Sequence, residues 1–254
     1  KRSEVQSLHR APMEKIKVIY ETSDFLAINK PAGLLVHGIQ IADQKILKEE
    51  TLIDWLLKHY PEIKNVGDDL VTRPGIVHRL DKNTSGVILV CRNQNFFKYV
   101  KNLFQEHKIK KNYLALVWGM VSPKKGIIEK SIRIKNGTIK RTVWHGKGEK
   151  EAITEYKVIK SIKYKVSSIK EEVFSLVEVI PKTGRTHQIR VHLASIGHPI
   201  VGDSLYGPKE NPFGLKRQFL HAESLEFNLA NGSRIKIEAD LPEDLKNVLD
   251  KFNE

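Results

Sequence analysis

The chain has 254 residues, 43 Lys and Arg against 30 Asp and Glu for a net charge of +13, with 40% hydrophobic and 7% aromatic residues. Such a chain suffices for one large domain or two small lobes around a shared cleft, and it has neither an apolar run of membrane-span length nor a signal-peptide core in its opening KRSEVQ. The lone cysteine, Cys91, rules out an intramolecular disulfide and a zinc ribbon and fits a reducing, cytoplasmic setting.

In chain order, the first dozen residues are polar and read as frayed, setting a segment 1–14 apart from a body of 15–254. Apolar and polar residues alternate over Ile16–Tyr20 and Phe25–Asn29, which predicts two short strands around Thr22, Ser23 and Asp24. Lys30-Pro31-Ala32-Gly33 then breaks the strand, and its glycine permits a close approach to another loop. A polar surface loop is expected over 39–50. Leu52, Ile53, Leu56 and Leu57 share a helical face behind Thr51 as cap, with Pro61 past the end.

The stretch Arg73–Cys91, RPGIVHRLDKNTSGVILVC, brings an apolar segment into Asp81 and follows it with turn residues and a second apolar run. This predicts Asp81 at a strand edge, two residues after Arg79. On position alone, Asp81 reads as a turn residue bonded to its own backbone.

Asn93–His107 has the spacing of an amphipathic helix, so Phe96 and Phe97 read as its buried stripe and not as a stacking platform. Lys110–Gly119 alternates as a strand, with Tyr113 on one face. A β-ribbon rich in Lys and Arg is expected over Lys124–Val143, and longer strands over Glu151–Ile162 and Glu171–Ile180. Ile189, Leu193 and Ile196 predict a helix over Thr186–Ser195 that ends at Gly197. Thr183, Gly184, Arg185 and Thr186 at its start have the makings of an anion site. Two closing strands (Phe219–Phe227 and Arg234–Ile237) and a C-terminal helix (Pro242–Phe252) complete the chain.

Strands and helices mix without a βαβ rhythm, so the expected class is α+β, with a mixed, largely antiparallel central sheet flanked by helices. Between Lys98 and Lys147 there are thirteen Lys and Arg against two acids, Glu106 and Glu129. On a folded chain without a membrane-type amphipathic helix, that concentration favours nucleic acid as the partner. His187 and His192 do not have the spacing of a zinc protease pair, and no nucleophile elbow surrounds Ser85, so metal ligation and serine hydrolysis are poor fits. His78, His187 and His192 are assigned to hydrogen bonding and RNA contact.

HRLDKNTSG, preceded by KPAG and followed by KNYLALVWG, TGRTHQIRVHLASIGHPIVGD and FLHAESLEF in that order, resembles the RluA-type family of RNA pseudouridine synthases. The resemblance spans about Lys15 to Phe252. It departs from the family at Gly38, where a proline commonly follows the histidine that corresponds to His37. It implies a pseudouridine synthase fold with a central active-site cleft, Asp81 as nucleophile, Tyr113 stacked on the target uracil, Arg185 paired with the Asp81 carboxylate, and Arg79 beside the nucleophile filling the vacated stack or holding a phosphate. The expected reaction isomerises uridine in structured ribosomal or transfer RNA, by base flipping, with no cofactor and no metal. The expected enzyme is a monomer without obligate protein or membrane partners. The opening Lys is compatible with a separate N-terminal RNA-binding module having been trimmed. The alternatives are a base-excising N-glycosylase and a catalytically silent RNA-binding protein. On residues alone, without the resemblance, Tyr113 reads as a core tyrosine on a strand and Arg185 as a surface phosphate clamp.

Overall fold

The computed structural model describes residues 13–38, 49–138, 140–166 and 170–252. The expected frayed start and most of the expected 39–50 loop lie outside these residues. By contacts the chain divides into two compact units, 1–109 with 224–240 and 110–223 with 241–254.

In the first unit, β1 (Lys17–Glu21) pairs antiparallel with β2 (Phe25–Lys30), and β2 pairs antiparallel with β3 (Ser85–Cys91). Every residue of β3 is buried, because apolar layers cover both faces. One layer comes from α1 (Leu52–His59), whose Leu52, Ile53 and Leu56 pack with Leu26, Ile28, Ile88 and Val90. Thr51 caps α1 as expected, in a reciprocal box: its hydroxyl takes the Asp54 amide and the Asp54 carboxylate takes the Thr51 amide. The other layer comes from α2 (Gln94–Gln105), which buries Phe96, Phe97, Val100 and Leu103 against Phe25, Val87 and Leu89. The two phenylalanines are core, as their spacing predicts.

The second unit is built on β4 (Lys110–Trp118), β5 (Lys125–Glu129), β9 (Ile153–Lys165) and β10 (Glu171–Pro181), in the order β4-β10-β9-β5 with every pair antiparallel. The ribbon expected over Lys124–Val143 is split: its start is β5, held in the main sheet by pairing with β9, while the rest joins residues beyond it in a separate small antiparallel sheet, in which β6 (Ile132–Ile134) lies between β7 (Arg141–Thr142) and β8 (Lys147–Lys150). A third helix, α3 (Gln188–Ser195), packs Ile189 and Leu193 into a core with Leu116, Val177, Val179 and Phe219. Strand β11 (Leu220–Asn228) belongs to the second unit up to Glu223 and to the first from Ser224, where it pairs antiparallel with β12 (Arg234–Glu238). Helix α4 (Glu243–Asp250) seats Leu245 and Val248 in the second core. The α+β class holds.

Two expectations need correction. The segment ahead of Asp81 is not a strand: Ile76 forms one isolated bridge with Val90, and 77–84 is irregular. His78 diverts the backbone there, since its Nε2 accepts the Leu89 amide at 2.9 Å and its ring stacks on Phe104. Helix α3 starts at Gln188 and not at Thr186, because His187 before it is left-handed at φ 57°.

Candidate active site

The turn of the HRLDKNTSG motif is assembled in the first unit from its own loops. The Thr84 amide donates to the Asp81 carbonyl at 3.1 Å, closing the turn directly ahead of buried β3. The Lys30-Pro31-Ala32-Gly33 loop clasps it from the neighbouring strand. Gly33 holds φ 85°, a conformation that favours glycine, and its amide donates to the Lys82 carbonyl at 2.9 Å. The Lys30 ammonium, fully buried, donates to the carbonyls of Pro31 (2.8 Å), Leu34 (2.9 Å) and Lys82 (3.2 Å). Two donors thus converge on the carbonyl one residue past Asp81. A buried cation demands such donation, and here the demand fixes the loop. Sequence reasoning missed Lys30, because a lysine at a strand end ordinarily reads as solvated.

Arg79 is exposed, and its guanidinium donates to His37 Nε2 at 3.2 Å, while His37 Nδ1 lies 2.8 Å from the Gly38 carbonyl. The accepting Nε2 makes this the neutral Nδ1–H tautomer. Burial holds the His37 pKa below its ordinary value, and the Arg79 charge acts in the same direction. Position 38, the departure from the family pattern, therefore still supplies what His37 needs, a backbone carbonyl.

Tyr113 and Arg185 belong to the second unit. Tyr113 is half-buried on β4 opposite Val179 of β10, and the loop that carries Arg185 leaves β10 two residues later, at Pro181. Lys111 ties the two segments together: its ammonium reaches the Thr183 carbonyl at 3.4 Å, and burial, reinforced by the neighbouring Lys182, pulls its pKa down to about 8. The exposed Arg185 donates from Nε to the Glu151 carbonyl at 2.9 Å.

The anion site expected at the start of α3 is not an open cradle. Gln188 folds back and accepts both the Arg185 amide (2.9 Å) and the buried Thr183 hydroxyl (2.8 Å), and that hydroxyl also receives the Ile153 amide. His192 is likewise no RNA contact. It is fully buried between the Thr154 hydroxyl and the Lys130 carbonyl, both at 2.9 Å, and burial lowers its pKa.

Behind the arginine loop lies a pair that sequence reasoning did not isolate. Arg190 and Asp203, both buried, form a two-pronged ion pair at 2.7 and 2.9 Å, and the Arg190 guanidinium lies 5.2 Å from the Tyr206 ring centre. The Tyr206 hydroxyl is 2.9 Å from His187 Nδ1 and accepts the Arg141 amide at 2.8 Å, so the basic ribbon is fastened beside the arginine motif.

Residues 24–195 match the sequence profile of the RNA pseudouridylate synthase family. The chain belongs to that family. Its relatives include an uncharacterized RNA pseudouridine synthase of Aquifex aeolicus, 40% identical over 77% of this chain and 57% of its own length. The ribosomal large subunit pseudouridine synthase D of Borreliella burgdorferi is 34% identical over 93% of this chain and 68% of its own. The tRNA pseudouridine synthase C of Vibrio parahaemolyticus is 32% identical over 85% of this chain and 86% of its own. Among solved structures, human RNA pseudouridylate synthase domain containing 1 superimposes with a TM-score of 0.70 at 25% identity, covering 90% of this chain and 84% of that one. The RluA-type pseudouridine synthase resemblance and its isomerase chemistry are thereby established for the family to which this chain belongs. Among the described residues, no helix is long and apolar enough to cross a membrane.

Proposed function

We propose that this protein isomerises specific uridines in structured ribosomal or transfer RNA to pseudouridine, using Asp81 as nucleophile within one catalytic domain over 15–254. The observation that carries the reading is the clasp on the catalytic turn: Lys30 and Gly33 both donate to the Lys82 carbonyl, which holds in place the loop bearing the one carboxylate the family motif singles out. Pre-positioning of this kind is what a nucleophile acting on an extruded base requires.

The reaction breaks the N1–C1′ bond and forms a C5–C1′ bond, with the C5 proton lost to solvent and N1 protonated in exchange. Oxidation level and composition are unchanged, so neither a metal nor an organic cofactor is called for. Tyr113 is assigned to stacking on the target uracil and Arg185 to the Asp81 carboxylate. Arg79 is assigned to the vacated stack or a flanking phosphate. The names of the relatives speak of the large ribosomal subunit and of tRNA, which supports both as substrate classes. We place the enzyme in the cytoplasm, as a monomer without obligate partners.

Asp81→Asn separates this reading from its rivals. The expected outcome is loss of pseudouridine from a ribosomal or transfer RNA transcript by at least about 10³-fold, with RNA affinity retained within a few-fold. Free uracil from the wild-type reaction would assign an N-glycosylase instead. Wild-type protein that binds RNA and yields neither product would assign a silent binder.

A further inference from the structure

Trp144 is 68% exposed, which is unusual for the largest apolar side chain, and it stands on the most basic part of the fold. Its backbone, by contrast, is pinned. The Trp144 amide donates to the Thr142 hydroxyl at 3.1 Å, and the Arg133 guanidinium donates to the carbonyls of Val143 (3.3 Å) and Trp144 (3.2 Å). Glu149 holds that guanidinium in turn, at 2.5 Å. Two residues on, Gly146 lets the chain lie against β6, where a Cβ would collide with the Ile134 carbonyl. The Lys130 ammonium sits 5.7 Å from the centre of the indole, and Lys147 and Lys150 of β8 are exposed nearby in sequence.

We infer that Trp144 and the basic ribbon around it are a docking platform for an unpaired base of the RNA, at a nucleotide other than the target uridine. This rests on the RNA-modifying reading and adds a second contact to it. Backbone order is already in place, so little conformational freedom is lost when a base stacks on the ring. The Lys130 ammonium beside the ring and the exposed Lys147 and Lys150 close to it in sequence attract the adjoining phosphates, and so cationic a stretch favours a polyanion over a protein partner. Stacking demands a free base face, so the occupant is single-stranded or looped RNA and not a helix.

The test is a fluorescence titration of the full chain with a short single-stranded RNA of mixed sequence and with its duplex. The chain has three tryptophans, Trp55, Trp118 and Trp144. Single-stranded RNA is expected to quench wild-type emission, with the quench lost in Trp144→Phe although that ring preserves affinity within a few-fold. Trp144→Ala is expected to weaken single-strand binding about five- to hundredfold and duplex binding far less. An unchanged affinity in Trp144→Ala, or an equal loss for both RNAs, overturns the platform. Because the side chain is exposed, circular dichroism should stay that of the wild type, so lost binding reads as lost contact. Pseudouridine formation is followed on the same samples. Product without any Trp144 effect removes the platform and leaves the enzyme, whereas a Trp144 effect without product removes the enzyme and leaves the platform.

Discussion

Lys111 carries an ammonium into a place from which water is largely excluded, and its pKa of about 8 follows from that burial. The folded state binds this proton less tightly than the unfolded chain, whose lysine titrates near its ordinary value. The cost of burying the charge is therefore fully present below about pH 8, shrinks as pH rises from there, and is gone above the unfolded pKa. Lys111→Met keeps the aliphatic stem and deletes the charge. It is expected to raise stability at pH 7 by on the order of 1–3 kcal/mol, with the gain fading toward pH 10, as measured by denaturant unfolding at several pH values. A gain that does not vary with pH would contradict a charged Lys111 in the fold. Cys91 shows the same physics without a partner: complete burial pushes its thiol up to about 12 and leaves it inert at neutral pH.

At the scale of elements, the decisive feature is that the loop after β2 and the turn before β3 meet through backbone atoms. Gly33 reaches the Lys82 carbonyl only with φ at 85°, where any Cβ is strained. Gly33→Ala is expected to destabilise the first unit by about 1–2 kcal/mol. It should also lower kcat on RNA more than it raises KM, since the loop bearing Asp81 loses its brace while Trp144 and the ribbon are untouched. Single-turnover kinetics on saturating RNA checks this, and an unchanged rate would show that the brace serves stability alone. Sequence reasoning anticipated the close approach of this glycine. It could not anticipate the partner, because Lys82 lies 49 positions further along the chain. The reverse happened at α3, where Gln188 returns to the Arg185 amide and Thr183 hydroxyl and uses up groups that looked available for an anion.

For the molecule as a whole, the net charge of +13 is concentrated in residues 98–147, which supply the strand bearing Tyr113 and the ribbon bearing Trp144. Binding through such a surface releases counterions, so RNA affinity is expected to fall about tenfold or more between roughly 50 and 200 mM salt, measured by filter binding. Asp81→Asn should follow the same salt dependence as wild type, since that substitution leaves every basic residue in place. An affinity indifferent to salt would argue that the basic surface is only a solvated face.

The sequence by itself determined whatever depends on neighbours along the chain: the capped start of α1 at Thr51, the buried stripe of α2, the alternation of β4 and the motif around Asp81. Each reports a local periodicity or a local hydrogen bond, which adjacent residues are enough to specify. Only the tertiary structure decided that Lys30 is a buried brace, that His78 denies the Asp81 segment a strand, that His192 is core, and that Arg190 and Asp203 pair behind the arginine loop. In each case a polar group removed from water must find its partner wherever folding brings one, and that partner's distance along the chain leaves no trace in local composition.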